Sequence, residues 1–205
     1  IISIGINSSK DLNFGKKIIY TCVEPTVDPI GFEIKIIDEI PHDKFGDEIF
    51  RIYAESFNTE YVINFHCDGF IQNPEAWSNS YLDYDYIGAP MYYEDKILCG
   101  NGGFSLRSKK ICQRAYELFT DNKKHLRNYN EDVVISYFLR SQLENEGFRI
   151  PSLDVASRFS TEHHSEDRFD FESSFGMHEI EALMNPSLIC HRKKLQFKTR
   201  WGLNQ

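Results

Sequence analysis

The chain has 205 residues, of which 41% are hydrophobic and 26% charged, and its formal net charge is −8. This length suffices for one core and no linker-like stretch divides the sequence, so we predict a single domain over residues 1–205. The acidic balance argues against a protein that binds the nucleic-acid backbone, because such binding relies on Lys and Arg. No apolar run approaches the ~20 residues of a membrane span and no leader-like segment opens the sequence, so we expect a cytoplasmic protein without a membrane span.

Strand-like and helix-like patterns alternate along the first part of the chain. Short apolar runs and alternating apolar and polar residues indicate strands, whereas apolar residues three and four apart indicate amphipathic helices. On this basis we predict strands over residues 1–6, 32–38 and 60–65, and helices over residues 10–22 and 43–57.

The second part of the chain continues the alternation with shorter elements. We predict strands over residues 85–89, 102–107, 152–159 and 174–178, and helices over residues 108–119 and 131–143. The order of the early elements predicts an α/β fold with a mostly parallel central sheet flanked by helices. Ligands of such sheets bind beyond the carboxyl ends of the strands, so the residues that follow the first and third strands are the first candidates: Gly5, Asn7, Ser8, His66 and Asp68.

The segment His66-Cys67-Asp68 follows the predicted strand 60–65 directly. Residues two apart in an extended segment point to the same side, so His66 and Asp68 are able to face one ion. Carboxylate oxygens suit hard cations such as Mg²⁺ and Mn²⁺, and Mn²⁺ also accepts imidazole. The alternative is a tight turn at Asp68 and Gly69, with His66 as a structural core histidine.

A glycine-rich run, Gly100-Asn101-Gly102-Gly103, leads into the predicted strand 102–107. Closely spaced glycines allow the backbone to approach a ligand, because they carry no side chain. The run lacks the Gly-Lys-Ser/Thr ending of a P-loop, and it precedes a strand rather than a helix, which excludes a dinucleotide fingerprint. The alternative is a bulge or a hairpin corner.

Two further segments carry groups suited to catalysis. Glu131 and Asp132 follow Asn130 at the start of a predicted helix, where a carboxylate either favours the helix dipole or acts as a general base. His178 ends the run Phe175-Gly176-Met177-His178 and is either structural or a metal ligand.

Together these segments occur in the order H-x-D, GNGGFSLRS, NEDV and FGMH. That order resembles GT-A glycosyltransferases, which share a D-x-D metal motif, a glycine-rich loop, an acidic motif and a C-terminal histidine. More closely, residues 61–178 resemble the small glycosyltransferase-like family DUF5672, and sugar-transfer domains of similar size occur in large DNA viruses of algae. The resembling runs are DGFIxNPEAW (68–77), YDYIGAP (84–90), GNGGFSLRS (100–108), NEDV (130–133), RFSxE (158–162) and FGMH (175–178).

The resemblance implies a single GT-A domain, with residues 1–100 mainly binding the nucleotide and residues 100–185 mainly binding the acceptor and carrying catalysis. Its donor would be a nucleoside-diphosphate sugar, with UDP the expected nucleotide, and its acceptor a hydroxyl of a glycan or glycoconjugate. The implied cofactor is Mn²⁺ or Mg²⁺, held by Asp68 and His178 with His66 as a further ligand. The first carboxylate of D-x-D is replaced by His66, which weakens the case for tight metal binding.

The resemblance also implies roles for the remaining candidates. Asp132 would be the base of an inverting transfer, and Glu131 would orient acceptor or sugar hydroxyls beside it, or the two residues would exchange these roles. The implied donor and acceptor contacts are Gly5, Asn7 and Ser8 with the base or ribose, and Asn101, Gly102 and Gly103 with the donor sugar and acceptor. Tyr92 and Tyr93 are candidates for an acceptor wall on a lid-like loop.

Two other functions stay open on the sequence. A sugar-1-phosphate nucleotidyltransferase would share the nucleotide-binding sheet, but the segment after Gly5 lacks the glycine- and arginine-rich loop of that chemistry. A catalytically inactive nucleotide-sugar-binding module would fit the replacement of an aspartate by His66, whereas Glu131, Asp132 and His178 argue against lost catalysis.

Overall fold

A computed structural model describes residues 2–9, 12–26, 28–41, 44–162 and 173–178. None of the helices in these ranges has the length and apolarity that crossing a bilayer requires. The helices are α1 (Ile2–Ser9), α2 (Phe45–Glu55), α3 (Lys109–Asp121), α4 (Lys123–Leu126), α5 (Glu131–Val133), α6 (Arg140–Asn145) and α7 (Leu153–Phe159). The strands are β1 (Ile18–Thr21), β2 (Glu33–Ile36), β3 (Tyr61–Phe65), β4 (Phe70–Ile71), β5 (Tyr86–Gly88), β6 (Pro90–Tyr93), β7 (Lys96–Cys99), β8 (Phe104–Ser108), β9 (Ser160–Thr161) and β10 (Gly176–Met177).

The sheets of the described residues are small and mostly antiparallel. β8 lies between β3 and β5 and runs antiparallel to both, with Phe65 opposite Phe104 and Tyr86 opposite Arg107. The strands β1 and β2 pair in parallel, and β6 and β7 form an antiparallel hairpin. The fold is therefore mixed α/β, and the expected mostly parallel central sheet is wrong. The pattern of apolar residues along a strand reports which face is buried but not the direction of its partner.

A second small sheet places the segment that ends in His178. The strand β10 pairs antiparallel with β4 and parallel with β9. Because β4 begins two residues after Asp68, this sheet draws the chain around residue 178 towards the turn that follows β3.

The core lies between the central sheet and the helices α2 and α3. The rings of Phe50 and Phe119, one from each helix, stack with centroids 4.4 Å apart, and both side chains are almost fully buried. Burial of each such side chain contributes about 1.5–3 kcal/mol. The helix α3 begins where predicted. The Ser108 hydroxyl accepts the backbone N–H of Ile111 at 3.2 Å and thereby caps the start of the helix.

The structure corrects three of the predicted elements. Residues 2–9 form a helix instead of a strand, the described part of the predicted helix 10–22 is loop followed by β1, and α7 replaces the predicted strand 152–159. The predicted helix 131–143 is interrupted by a π-helical segment, Val134–Phe138, in which the Leu139 N–H donates to the Val134 carbonyl at 2.8 Å. Short apolar runs fit a strand or a buried helix equally well, so periodicity alone does not separate them.

Candidate functional site

The turn that follows β3 lies directly against the glycine-rich loop that precedes β8. The His66 N–H donates to the Gly103 carbonyl at 2.8 Å, continuing the pairing of the two strands. The Asn64 amide donates to the Gly102 carbonyl at 3.0 Å. The antiparallel pairing therefore brings together the segments around His66 and Gly102, which lie about 35 residues apart in the sequence.

His178 lies between two carboxylates at the end of β10. Its Nε2 is 3.3 Å from Oδ1 of Asp68, and its Nδ1 is 3.3 Å from Oε1 of Glu162, the residue that follows β9. The Asn101 amide donates to the same Glu162 oxygen at 2.8 Å and accepts the Gly103 N–H at 2.8 Å. The imidazole is thus held on both sides, and the glycine-rich loop is tied to the holding carboxylate.

This arrangement changes the protonation of His178 and Asp68. Burial alone would lower the pKa of His178, but its contacts with Asp68 and Glu162 outweigh that effect and raise it to about 10. The contact with His178 in turn lowers the pKa of Asp68. Without a bound cation, the cluster at neutral pH is an imidazolium between carboxylates.

Gly103 is the position where the loop touches the His178 ring. A Cβ built on Gly103 would overlap the imidazole, so only glycine allows this approach. We expect Gly103→Ala to displace the ring and to lower the free energy of unfolding by about 1–3 kcal/mol, measured by urea denaturation. Gly15→Ala is the control, because nothing lies within 4 Å of that added methyl group. Equal stability of the two variants would contradict this packing.

Glu131 and Asp132 also face the glycine-rich loop, but in different environments. Glu131 is buried, and its Oε1 accepts from Nη2 of Arg107 at 2.7 Å. Asp132 is partly buried, and its Oδ2 accepts the Gly102 N–H at 3.0 Å while Oδ1 accepts the Val133 N–H at 2.7 Å. One carboxylate is therefore fixed by an ion pair, and the other by backbone donors.

The environment of Asp132 favours its protonated form. Burial and the neighbouring Glu131 carboxylate outweigh the two N–H donors and raise the pKa of Asp132 to about 7. A carboxylate with a pKa near the working pH is well suited to accept a proton during a reaction. Perturbed groups of this kind concentrate at functional sites, although buried ion-pair networks produce them as well.

His66 lies beside His178, with ring centroids 5.8 Å apart, and touches the edge of Phe45 at 6.5 Å. Its Nε2 is shielded from solvent and has no hydrogen-bond partner among the described residues. Burial lowers its pKa, so the ring is neutral at neutral pH. A neutral imidazole with a free nitrogen is able to accept a hydrogen bond or bind a cation.

Asp68 and His178 fit a divalent cation as two ligands. Asp68 Oδ1 and His178 Nε2 lie 3.3 Å apart, and a cation bound to both would replace the imidazolium proton between them. The contact of Glu162 with the other ring nitrogen is the support that metal-bound histidines usually have. The described residues contain no group of three or more potential ligands placed to enclose a metal. A cation here would take its remaining ligands from substrate and water.

The three N-terminal candidates do not follow a strand, because they lie on α1. The Ser8 hydroxyl accepts the Ile71 N–H at 3.1 Å and donates to the Gly5 carbonyl at 3.0 Å, so it joins α1 to β4. Gly5 packs against the ring of Phe65, and Asn7 is exposed. The expectation that these residues end a strand is wrong, and the argument for nucleotide contact that rested on it no longer applies.

Residues 50–178, more than half of the chain, match the family described as "Protein of unknown function (DUF5672)". The chain belongs to the DUF5672 family. The comparison with curated proteins gave no match. A solved structure described as a glycosyltransferase involved in the glycosylation of the major capsid of PBCV-1 aligns with a TM-score of 0.45 and 12% identity, over 85% of each chain.

The region matched to DUF5672 contains the whole cluster around His178 and the acidic pair, whereas Gly5, Asn7 and Ser8 lie outside it. Sequence reasoning gave no role to two residues of this cluster, Glu162 and Arg107. Both lie in runs that carry the family resemblance, RFSxE and GNGGFSLRS. The sequence feature that could have identified Arg107 is a positively charged residue in a strand whose other residues are apolar or small.

Proposed function

We propose that this DUF5672 protein is a metal-dependent glycosyltransferase of the GT-A type. It would move a sugar from a nucleoside-diphosphate sugar, with UDP as the expected nucleotide, to a hydroxyl of a glycan or glycoconjugate. The observation that carries the proposal is the position of Asp132. Its carboxylate has a raised pKa and is bonded to the same glycine-rich loop that touches the Asp68–His178 pair.

Asp132 would act as the general base of an inverting transfer. It accepts the proton of the acceptor hydroxyl while that oxygen forms a bond to the anomeric carbon of the donor sugar. The bond from the anomeric carbon to the phosphate oxygen breaks, and the nucleoside diphosphate leaves with the electron pair. The Gly102 N–H, which donates to Asp132 Oδ2 at 3.0 Å, fixes the carboxylate during this step.

Glu131 would stabilise this arrangement without exchanging a proton. Its buried pair with Arg107 keeps a negative charge beside Asp132, which is one reason why the pKa of Asp132 is raised. Asn101 and Gly103 would lie beside the donor sugar, with the Asn101 amide fixed by Glu162 and the space next to Gly103 filled by the His178 ring. His66 would donate or accept a hydrogen bond near the diphosphate.

Asp68 and His178 would hold Mn²⁺ or Mg²⁺, and substrate and water would supply the remaining ligands. A cation at this position would supply charge stabilisation for the leaving diphosphate. It would also offset the negative charge that the acidic chain presents to an anionic donor.

We expect release of UDP from UDP-sugars to depend on a divalent cation. Excess EDTA should abolish it, Mn²⁺ or Mg²⁺ should restore it, and His178→Ala should lower it at least about tenfold. His125→Ala, at an exposed histidine on α4, is the matched control. Full activity in excess EDTA would contradict the role of the cation.

The same assay separates the proposal from its alternatives. A sugar-1-phosphate nucleotidyltransferase would release pyrophosphate from UTP and a sugar phosphate, and it would release no UDP. A binding module without catalysis would release nothing, although UDP with Mn²⁺ would still stabilise it. Ligand at 100 times its dissociation constant raises the free energy of unfolding by about 2.7 kcal/mol, which thermal unfolding detects.

A further inference from the structure

Next to the acidic pair lies a group of aromatic side chains that the proposed chemistry does not use. We call Tyr93, Tyr129, Tyr137 and Phe138 the aromatic ridge. The ring centroids of Tyr129 and Phe138 are 4.5 Å apart, and those of Tyr93 and Tyr137 are 4.9 Å apart. Phe138 also contacts Tyr137 at 5.2 Å, so the four rings form one connected group.

The aromatic ridge reaches the surface of the protein. Clusters of large apolar side chains are unusual there. Tyr129 is 37% exposed and Phe138 is 38% exposed. Exposed apolar clusters of this kind commonly mark binding surfaces. The π-helical segment contributes directly, since it carries Tyr137 and Phe138, and π-helical turns are frequent at functional sites.

The aromatic ridge lies close to the candidate site along the chain. Tyr129 precedes Asp132 by three residues, and its backbone carbonyl lies 3.3 Å from a Cβ built on Gly46, at the start of α2. The neighbouring Phe45, which is 40% exposed, touches the ring of His66. Because three residues span at most about 10 Å, a chain of several sugars with its reacting hydroxyl at Asp132 is long enough to reach Tyr129.

Polar groups border the aromatic ridge. The Tyr137 hydroxyl is 3.4 Å from Oε2 of Glu94, and Nζ of Lys96 lies 5.0 Å from the centroid of the Tyr137 ring. Both charged residues belong to the β6–β7 hairpin, the segment expected to form a lid-like loop. Aromatic faces beside hydrogen-bonding groups match a sugar, which presents C–H groups on the face of its ring and hydroxyl groups around the edge.

We infer that the aromatic ridge is an acceptor subsite for a carbohydrate chain of more than one sugar. The inference rests on the proposed function, because it places the reacting hydroxyl at Asp132 and the following sugars on the ridge. It names the acceptor class as an oligosaccharide or a glycan, in contrast to a free monosaccharide or a small alcohol.

The test is binding to an array of immobilised oligosaccharides of defined sequence, from one to four sugars, together with separate binding of UDP in the presence of Mn²⁺. We expect the wild-type chain to bind at least one oligosaccharide in preference to its monosaccharides. The double variant Tyr129→Ala/Phe138→Ala should weaken that binding about tenfold or more. Tyr129→Phe should retain most of it, and UDP binding should not change in either variant.

Leu82→Ala is the matched control, because Leu82 is also 37% exposed and lies in the 3₁₀ segment Asn79–Asp83, outside the aromatic ridge. Binding that the double variant leaves unchanged would overturn the inference, as would a wild-type chain that binds no oligosaccharide. A wild-type dimer that the double variant converts to a monomer in sedimentation would overturn it in favour of self-association. If oligosaccharide binding depends on the ridge but UDP does not bind, the proposed function fails while the carbohydrate site stands.

Discussion

Replacing Asp132 by asparagine is expected to lower the turnover of sugar transfer by about 10²–10⁴ while binding of UDP is retained. The reason is that asparagine fills the same space but cannot accept the proton of the acceptor hydroxyl. The measurement is UDP release at saturating donor, with UDP binding measured in parallel. Asp121→Asn, at an exposed position in the last turn of α3, changes the net charge equally and serves as the control.

The pH profile gives an independent readout of the same residue. Burial and the Glu131 carboxylate raise the pKa of Asp132 to about 7. Because a base must be ionised, kcat/KM should fall about tenfold per pH unit below pH 7 and level off above it. A carboxyl with its ordinary value of 3.8 would leave the profile flat from pH 5 upwards. A flat profile would contradict the assignment of Asp132 as the base.

The raised pKa of Asp132 also predicts how Asp132→Asn affects the stability of the fold. A carboxyl whose pKa is raised in the folded state favours folding when protonated, and this contribution is lost as the pH rises through about 7. Asp132→Asn removes that ionisation but leaves one of the two backbone N–H donors without its acceptor. The two effects oppose each other, so the free energy of unfolding at pH 8 should change by no more than about 1–2 kcal/mol. A loss of turnover with unchanged urea denaturation at pH 8 therefore reports chemistry and not unfolding.

Replacing Arg107 by methionine is expected to cost about 3–5 kcal/mol of the free energy of unfolding, because it leaves Glu131 buried without its partner. Arg107 is 1% exposed, and its guanidinium lies 4.0 Å from the centroid of the Tyr53 ring and 5.0 Å from that of Tyr86. Its Nε also donates to the Ser105 hydroxyl at 2.9 Å. Glu131 is 4% exposed, so the charge left behind is poorly screened by solvent.

A double variant separates the charge from the packing of Arg107. Arg107→Met/Glu131→Gln removes both charges and should recover most of the loss, since methionine nearly fills the volume of the arginine stem. Arg51→Met, which breaks exposed pairs with Glu48 and Glu55, should cost less than about 1 kcal/mol. Urea denaturation of the four proteins forms the experiment. Equal losses for the single and double variants would show that packing, and not the unpaired charge, explains the cost.

Sequence patterns predicted the long amphipathic elements correctly. Residues 43–57 and 108–119 carry apolar residues at helical spacing, and α2 and α3 confirm both predictions. The strands β3 and β8 lie where predicted as well. Their antiparallel pairing was not predictable, because strand direction depends on how distant segments meet and leaves no local periodicity.

The candidate site, like the fold, was predicted only in part from the sequence. His66, Asp68 and the glycine-rich run were found because unusual residue types follow or precede strands, and the structure places them against one another. Local sequence did not reveal that Glu162 holds His178, since that contact exists only after β9 and β10 pair. The π-helical turn was equally hidden, because a change from four-residue to five-residue hydrogen bonding does not alter the apolar pattern of residues 131–143.

The contact of α1 with β4 affects where a shortened recombinant form of this protein should begin. The DUF5672 match begins at residue 50, yet Ser8 satisfies the backbone amide of Ile71, and Gly5 covers Phe65 and the carbonyl of Gly69. A fragment trimmed to the matched region would expose the ring of Phe65, which precedes the loop that carries Asp68. It would also lack the hydrogen-bond partner of the Ile71 N–H, which follows that loop. Recombinant work on this domain should therefore keep the segment upstream of the family boundary.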